Sequence, residues 1–252
     1  MPRPLILCSN DDGIHAPYLE ALIGKLEAFA DVVAVAPERQ RSAASHAITL
    51  HKPLRLHEVR PRRFALSGTP VDCVYVGMLK LCDRPPALVV SGVNDGYNLG
   101  SDVFYSGTVA AAVEGALRGA GGIACSLAPR ARQPARAIEF AAQVVRAALA
   151  EPLPPGSVLN VNMPGDGGDR YQWTTLGKRV YDDDVVERAD PHGRPYYWVG
   201  GGPTGHADVA GSDCVAVASG YNSITPMHLD LTDRARIAEP PWTLEGFHVV
   251  IG

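Results

Sequence analysis

Long apolar runs are missing from this 252-residue sequence: no stretch approaches the length needed to cross a bilayer, which argues against a membrane-spanning helix. The opening Pro4-Leu5-Ile6-Leu7-Cys8 is too short for the apolar region of a signal peptide. Its five cysteines (Cys8, Cys73, Cys82, Cys125 and Cys214) are scattered and never in C-x-x-C spacing, so neither a disulfide framework nor a zinc ribbon is indicated. Buried thiols in a reducing, cytoplasmic setting are the expectation. Large excess of one charge is absent too. With 23 Lys and Arg against 27 Asp and Glu, the formal net charge is −4, the wrong sign for a protein that gathers nucleic-acid polymers on a basic surface. Neither G-x-G-x-x-G nor a Walker A sequence occurs, and there is no internal repeat or low-complexity tract.

What is present reads as alternating strands and helices. Leu5 to Cys8 is a continuous apolar run ending in Ser9-Asn10-Asp11-Asp12-Gly13, the pattern of a buried parallel strand and the loop beyond it. Pro17 opens a helix with Leu19, Leu22, Ile23, Leu26 and Phe29 at helical spacing, and Val32 to Val35 forms the next apolar run. From Pro37 to Leu66 the pattern loosens into an excursion with a modest alternating stretch around Ile48 to Leu56. Helices are then predicted over Pro70 to Leu81, Ser106 to Arg118 and Ala135 to Leu149, with strands over Ala87 to Val90, Gly122 to Leu127 and Val158 to Val161. After Pro164 come Gly and Pro punctuation, Asp182-Asp183-Asp184, Tyr196-Tyr197-Trp198 and an apolar run from Cys214 to Ala218, read as a β-rich extension. The fold class is α/β: a Rossmann-like, mostly parallel sheet with helices on both faces over residues 1–165, and a β-rich extension over 166–252. In such sheets ligands bind beyond the carboxyl ends of the strands.

Two polar clusters lie at such ends, and a third opens a helix. Asp11 and Asp12 offer hard oxygen ligands suited to a cation such as Mg²⁺, and the same pentapeptide equally suits a turn. Ser91 to Gly100 combines glycines with Asn94 and Asn98, which supply carbonyl oxygens and amide donors; alone it reads as a loop. Ser106-Gly107-Thr108 opens the Ala-rich helix, and a capped helix start with free N–H groups is an anion site as well as a cap. Arg39-Gln40-Arg41-Ser42 is weaker: Ser42 can lend a hydroxyl to a metal, or be a solvated loop residue. His15, beside the acidic pair, reads by default as structural or solvent-exposed.

Taken together, these stretches resemble the SurE family of survival-protein nucleotidases. The resemblance rests on S-N-D-D-G-I-H-A-P, P-E-R-Q-R-S-A-A-S, S-G-T-P-V-D-C-V and V-S-G-V-N-D-G-Y-N-L-G-S-D-V-F-Y-S-G-T-V-A-A-A-V-E-G. The later R-P-Y-Y-W-V-G-G and S-D-C-V-A-V-A-S-G-Y-N-S-I-T-P-M extend it over nearly the whole chain. Departures are minor: Cys8-Ser9 where Leu-Thr is common, Asn222 for an apolar residue and Met227 for Leu.

The resemblance implies a metal-dependent phosphatase acting on nucleoside 5′- and 3′-monophosphates, with short-chain polyphosphate as a further substrate. It implies one divalent ion per subunit, Mg²⁺ or Mn²⁺, held by Asp11, Asp12, Ser42 and Asn94. Asn98, Ser106, Gly107 and Thr108 match the positions around the phosphate, with Asp12, Asn98 and Ser106 expected to serve the chemistry. A homodimer or homotetramer assembled through the extension is also implied. Two rivals stand beside this reading: a receiver-like domain, which would need a phospho-acceptor Asp and a Lys not found at convincing positions, and a noncatalytic nucleotide-binding module.

Overall fold

The computed structural model of the chain describes residues 3–166, 168–181, 185–199 and 204–238. Asp182-Asp183-Asp184 therefore lies outside the described residues. The first strand, β1 (Leu5–Ser9), is buried along its length. Helix α1 (Pro17–Leu26) begins on Pro17 and turns Leu19, Leu22, Ile23 and Leu26 inward, and β2 (Asp31–Pro37) returns parallel to β1. After the excursion come β3 (Leu56–Arg60), β4 (Arg63–Leu66) and α2 (Pro70–Val76), which runs into a π-helical turn over Gly77–Leu81. Then follow β5 (Leu88–Asp95), α3 (Gly107–Leu117), β6 (Gly121–Leu127), α4 (Pro134–Ala150) and β7 (Ser157–Met163).

The later elements are β8 (Tyr171–Trp173), β9 (Arg179–Tyr181), β10 (Val185–Ala189), β11 (Pro195–Val199), β12 (Thr204–His206), α5 (Asp213–Ala218), β13 (Asn222–His228) and α6 (Arg234–Ala238). The main sheet has nine strands in the order β3-β4-β2-β1-β5-β6-β7-β13-β8. Its centre from β4 to β7 is parallel, while β13 adds antiparallel to β7, so the late chain completes the same sheet. Helices cover both faces: α1 packs with α4 on one, α2 with α3 on the other. The Rossmann-like α/β class expected from the sequence is the observed one.

Chain order reverses between β1 and β5, which are hydrogen-bonded neighbours, and that reversal opens a crevice beyond their carboxyl ends. One face of this crevice is set by how tightly α3 sits on the sheet. A Cβ added to Gly115 would come within 2.4 Å of the Val89 side chain, so only glycine permits that approach. Ala110, Ala111, Ala112 and Ala116 are likewise buried, which explains the Ala-rich composition.

One local expectation is overturned, and the excursion between Pro37 and Leu66 has a physical cause. The alternating stretch from Ile48 to Leu56 forms no strand before residue 56. The Thr49 N–H instead donates to the Asp72 carboxylate at 2.8 Å, Thr69 donates to the Ala47 carbonyl at 2.7 Å, and Leu50 is solvent-exposed. A side-chain acceptor won the backbone donor that a sheet would have needed. The Cys214 to Ala218 run is helical, as α5, not part of a β extension. Ser212 caps it by accepting from the Val215 N–H, and a run this short has no period that separates strand from helix. Asn222, which stands where an apolar residue was expected, is buried with its amide donating to the Gly168 and Arg170 carbonyls.

β10 and β11 differ from the rest. Among the described residues they pair only with each other, and Tyr197, Trp198 and Val199 on β11 are exposed.

Candidate active site

Asp11 and Asp12 follow β1 directly and lie at the crevice. Their loop is fixed by Asn10, whose side chain accepts from the Gly13 N–H at 3.1 Å and donates back to the Gly13 carbonyl at 3.0 Å. The segment after β2 is brought alongside by the Arg41 N–H, which donates to the Asp11 carbonyl at 2.7 Å. Ser42 thereby arrives near the acidic pair despite lying thirty residues away in sequence. Gln40 completes this link, its amide nitrogen lying 3.4 Å from Asp12 Oδ1 and 3.0 Å from Ser42 Oγ.

From the other side, α3 aims its start at Asp11. The Thr108 hydroxyl donates to Asp11 Oδ1 at 2.5 Å, and a Cβ on Gly107 would stand 3.1 Å from the Asp11 Cβ and 3.3 Å from its Oδ2. Glycine at 107 is what lets the helix end come this close. Ser106 caps α3 by accepting from the Val109 N–H at 3.0 Å, which leaves its own hydroxyl hydrogen free to donate elsewhere.

β5 contributes the third wall. The Asp95 N–H donates to Asp12 Oδ2 at 3.3 Å, and the preceding Asn94 donates its amide to the Gly96 carbonyl at 2.8 Å. With its donor side engaged, Asn94 keeps its carbonyl oxygen for another partner. Asn98 belongs to a separate buried network: its amide donates to Ser126 Oγ at 2.7 Å, its N–H donates to Asn162 Oδ1, and its carbonyl accepts from Asn160 and Asn162. The structure therefore joins Asp11 to Thr108 and Gly107 directly, links Ser42 to Asp12 through Gln40, seats Asn94 beside Asp12's partner Asp95, and holds Asn98 on a neighbouring scaffold. His15 is exposed and makes no hydrogen bond among the described residues.

The electrostatics single out the two carboxylates. Burial pushes Asp11 up to about 6, against the Thr108 hydrogen bond, with the nearby Asp12 charge adding to the rise. Asp12 is also raised, first by burial and then by the Asp95 charge, while the Asp95 N–H opposes the shift. Among the described residues no Lys or Arg acts on either group. One buried and one half-buried carboxylate thus sit side by side, with no Lys or Arg among the described residues to balance them. Two carboxylates, a hydroxyl and an amide carbonyl form a hard-oxygen donor set of the kind that suits Mg²⁺ or Mn²⁺. Among the described residues no group of three or more His, Cys, Asp or Glu is placed to hold a metal ion, so a hydroxyl and an amide would have to complete any site on Asp11 and Asp12.

Gln40, Asp95, Asn160 and Asn162 went unnoticed as site-builders in the sequence. Gln40 and Asp95 fall inside motif stretches, but nothing in their spacing marks them as partners of Asp12. Asn160 and Asn162 alternate on a buried strand, and two asparagines on one buried face were a signal that could have been read.

Fold and site define a doubly wound α/β protein with an acidic, oxygen-lined crevice at its topological switch, facing a helix start. A family model described as Survival protein SurE matches residues 6–183. The chain is 48% identical over 248 residues to the 5′-nucleotidase SurE of Myxococcus xanthus, an alignment covering 96% of this chain and 95% of that protein. With the 5′-nucleotidase SurE of Anaeromyxobacter dehalogenans it shares 51% over 249 residues, covering 96% and 97%. The crystal structure of the SurE protein from Aquifex aeolicus aligns with a TM-score of 0.83 at 36% identity, over 93% of this chain and 97% of that one. The chain belongs to the SurE family.

Proposed function

We propose that this chain is a nucleotidase: a divalent-metal-dependent phosphatase that releases phosphate from nucleoside 5′- and 3′-monophosphates, with short-chain polyphosphate as a second substrate class. The observation that carries the reading is the pair of carboxylates, Asp11 buried and Asp12 half-buried, on which no cation among the described residues acts, set against the start of α3. The names of the relatives supply the substrate class.

Asp11, Asp12, Ser42 and Asn94 would hold one Mg²⁺ or Mn²⁺, whose charge polarises the phosphoryl group. The chain's own residues do the rest. Thr108 holds the Asp11 carboxylate in place through its 2.5 Å hydrogen bond. The first-turn N–H groups of α3, with the free Ser106 hydroxyl hydrogen, donate to phosphate oxygens as charge builds on them. Asn98 offers the amide hydrogen not used by Ser126. Asp12, more accessible than Asp11, takes the proton of the attacking water.

The hairpin β10–β11 serves as an oligomerisation arm in this proposal, within a 166–252 extension to a 1–165 catalytic core. An isolated two-stranded hairpin is marginal in water, and this one carries exposed Tyr197 and Trp198, so a second subunit would give it a partner and form a homodimer or homotetramer. A cytoplasmic setting fits four buried free thiols, and no helix among the described residues is long and apolar enough to cross a membrane. Phosphate release from a mononucleotide panel and polyphosphate, with Mg²⁺, Mn²⁺ and chelator compared, tests the activity. Release that depends on the metal supports it; nucleotide binding without release overturns it.

A further inference from the structure

The mechanism above leaves the departing nucleoside oxygen without a proton donor. A phosphate monoester of an alcohol has a poor leaving group, and protonating that oxygen as the P–O bond breaks is the usual remedy. Among the described residues two imidazoles, His46 and His228, line a cavity that also reaches Ser106, and only His46 is tied to the residues just before α3. His46 follows Ser45, whose N–H donates to the Tyr105 carbonyl at 3.1 Å and whose hydroxyl donates to the Phe104 carbonyl at 2.7 Å. Those bonds tie the loop to the residues just before Ser106. His46 and Ser106 line one cavity of about 540 Å³, walled by Val109 and Val113 of α3 and by Met227, with His228 also on its lining. An apolar cleft with a few convergent polar groups is the usual form of a small-molecule subsite, and this one adjoins the helix start that faces phosphate.

His46 is held from behind. Its Nε2 lies 3.0 Å from Oε2 of Glu114, a buried carboxylate on α3, and the other Glu114 oxygen accepts from Arg118 Nε at 2.5 Å. Arg118 in turn stacks over the Tyr75 ring at 3.7 Å. A carboxylate engaging one ring nitrogen fixes the imidazole's orientation and leaves the other nitrogen to act. Because Arg118 already pairs with Glu114, orientation of the ring is what the carboxylate supplies.

We propose, on the basis of the nucleotidase reading, that His46 is the general acid for the leaving nucleoside, with Glu114 as its positioning residue. Water forms the new P–O bond and gives its proton to Asp12. The old P–O bond breaks with its electron pair on the nucleoside oxygen, which takes the proton from the imidazolium of His46; Asp12 then releases its proton to solvent and His46 takes one up.

The test compares two substrates on wild type, His46→Asn and Glu114→Gln under Mn²⁺: adenosine 5′-monophosphate, which needs its leaving oxygen protonated, and 4-nitrophenyl phosphate, which does not. His46→Asn is expected to lower kcat/KM on the nucleotide by roughly 10²–10⁴-fold while leaving the nitrophenyl ester within a small factor. Glu114→Gln should show the same selectivity at smaller size. Equal losses on both substrates, or no loss on either, overturn the acid role. Wild type inert towards both overturns the nucleotidase reading itself, which is a separate result.

Discussion

The crevice beyond β1 and β5 and the β10–β11 hairpin solve opposite problems. In the crevice, Asp11 is buried, hydrogen-bonded to α3 and backed by a loop that the Arg41 N–H pins to its carbonyl. On the hairpin, Tyr197 and Trp198 lie open on two strands that pair with nothing else among the described residues. The crevice places polar groups where water is scarce; the hairpin places aromatic groups where water is plentiful. Each is costly for a lone folded chain, and the proposed function would give each a partner: an ion and phosphate in the first case, another subunit in the second.

The contrast can be broken first at Asp11. Asp11→Asn should cut phosphate release by at least about 10²-fold, while its melting temperature without divalent ions stays equal to or above wild type, because a buried unbalanced charge has gone. Steady-state kinetics beside calorimetry checks both halves. The pH dependence sharpens the point. Asp11 is raised to about 6 from an ordinary value of 3.8, so the folded chain holds that proton more tightly than the unfolded one. Its contribution is therefore fully present below about pH 4 and lost as pH rises through 6, by up to about 3 kcal/mol. Denaturant unfolding between pH 4 and 7 without divalent ions should show this decline in wild type and a flatter profile in Asp11→Asn.

Smaller effects follow away from the charges. Gly115→Val drives a branched side chain into Val89 and should cost about 1–3 kcal/mol by denaturant midpoint, with lost activity because the start of α3 shifts. At the hairpin, Trp198→Ala should leave unfolding free energy within about 0.5 kcal/mol at concentrations where the chain is monomeric. Light scattering should nonetheless show weakened association, and unchanged association would remove this residue from the arm's contact.

Much of the crevice was legible because it is local. Asp11-Asp12, the Asn94–Asn98 loop and Ser106-Gly107-Thr108 each follow an apolar strand or open a helix, and their order in sequence matches their order around the switch point. The bonds that join them were not legible. Gln40 reaching Asp12 and Ser42, and His46 reaching Glu114 across sixty-eight residues, depend on how an irregular excursion folds back, and irregular backbone has no period to read. The Cys214–Ala218 helix failed for a related reason, since six residues cannot show a helical repeat and only the Ser212 cap marks it.

Titration of Mn²⁺ into the chelator-stripped protein, followed by calorimetry, tests the oxygen-lined crevice most directly. Wild type should take up one ion per chain, with that heat abolished in Asp11→Asn and Asp12→Asn although both remain folded. Undiminished one-to-one binding in both variants would place the ion elsewhere and contradict the account.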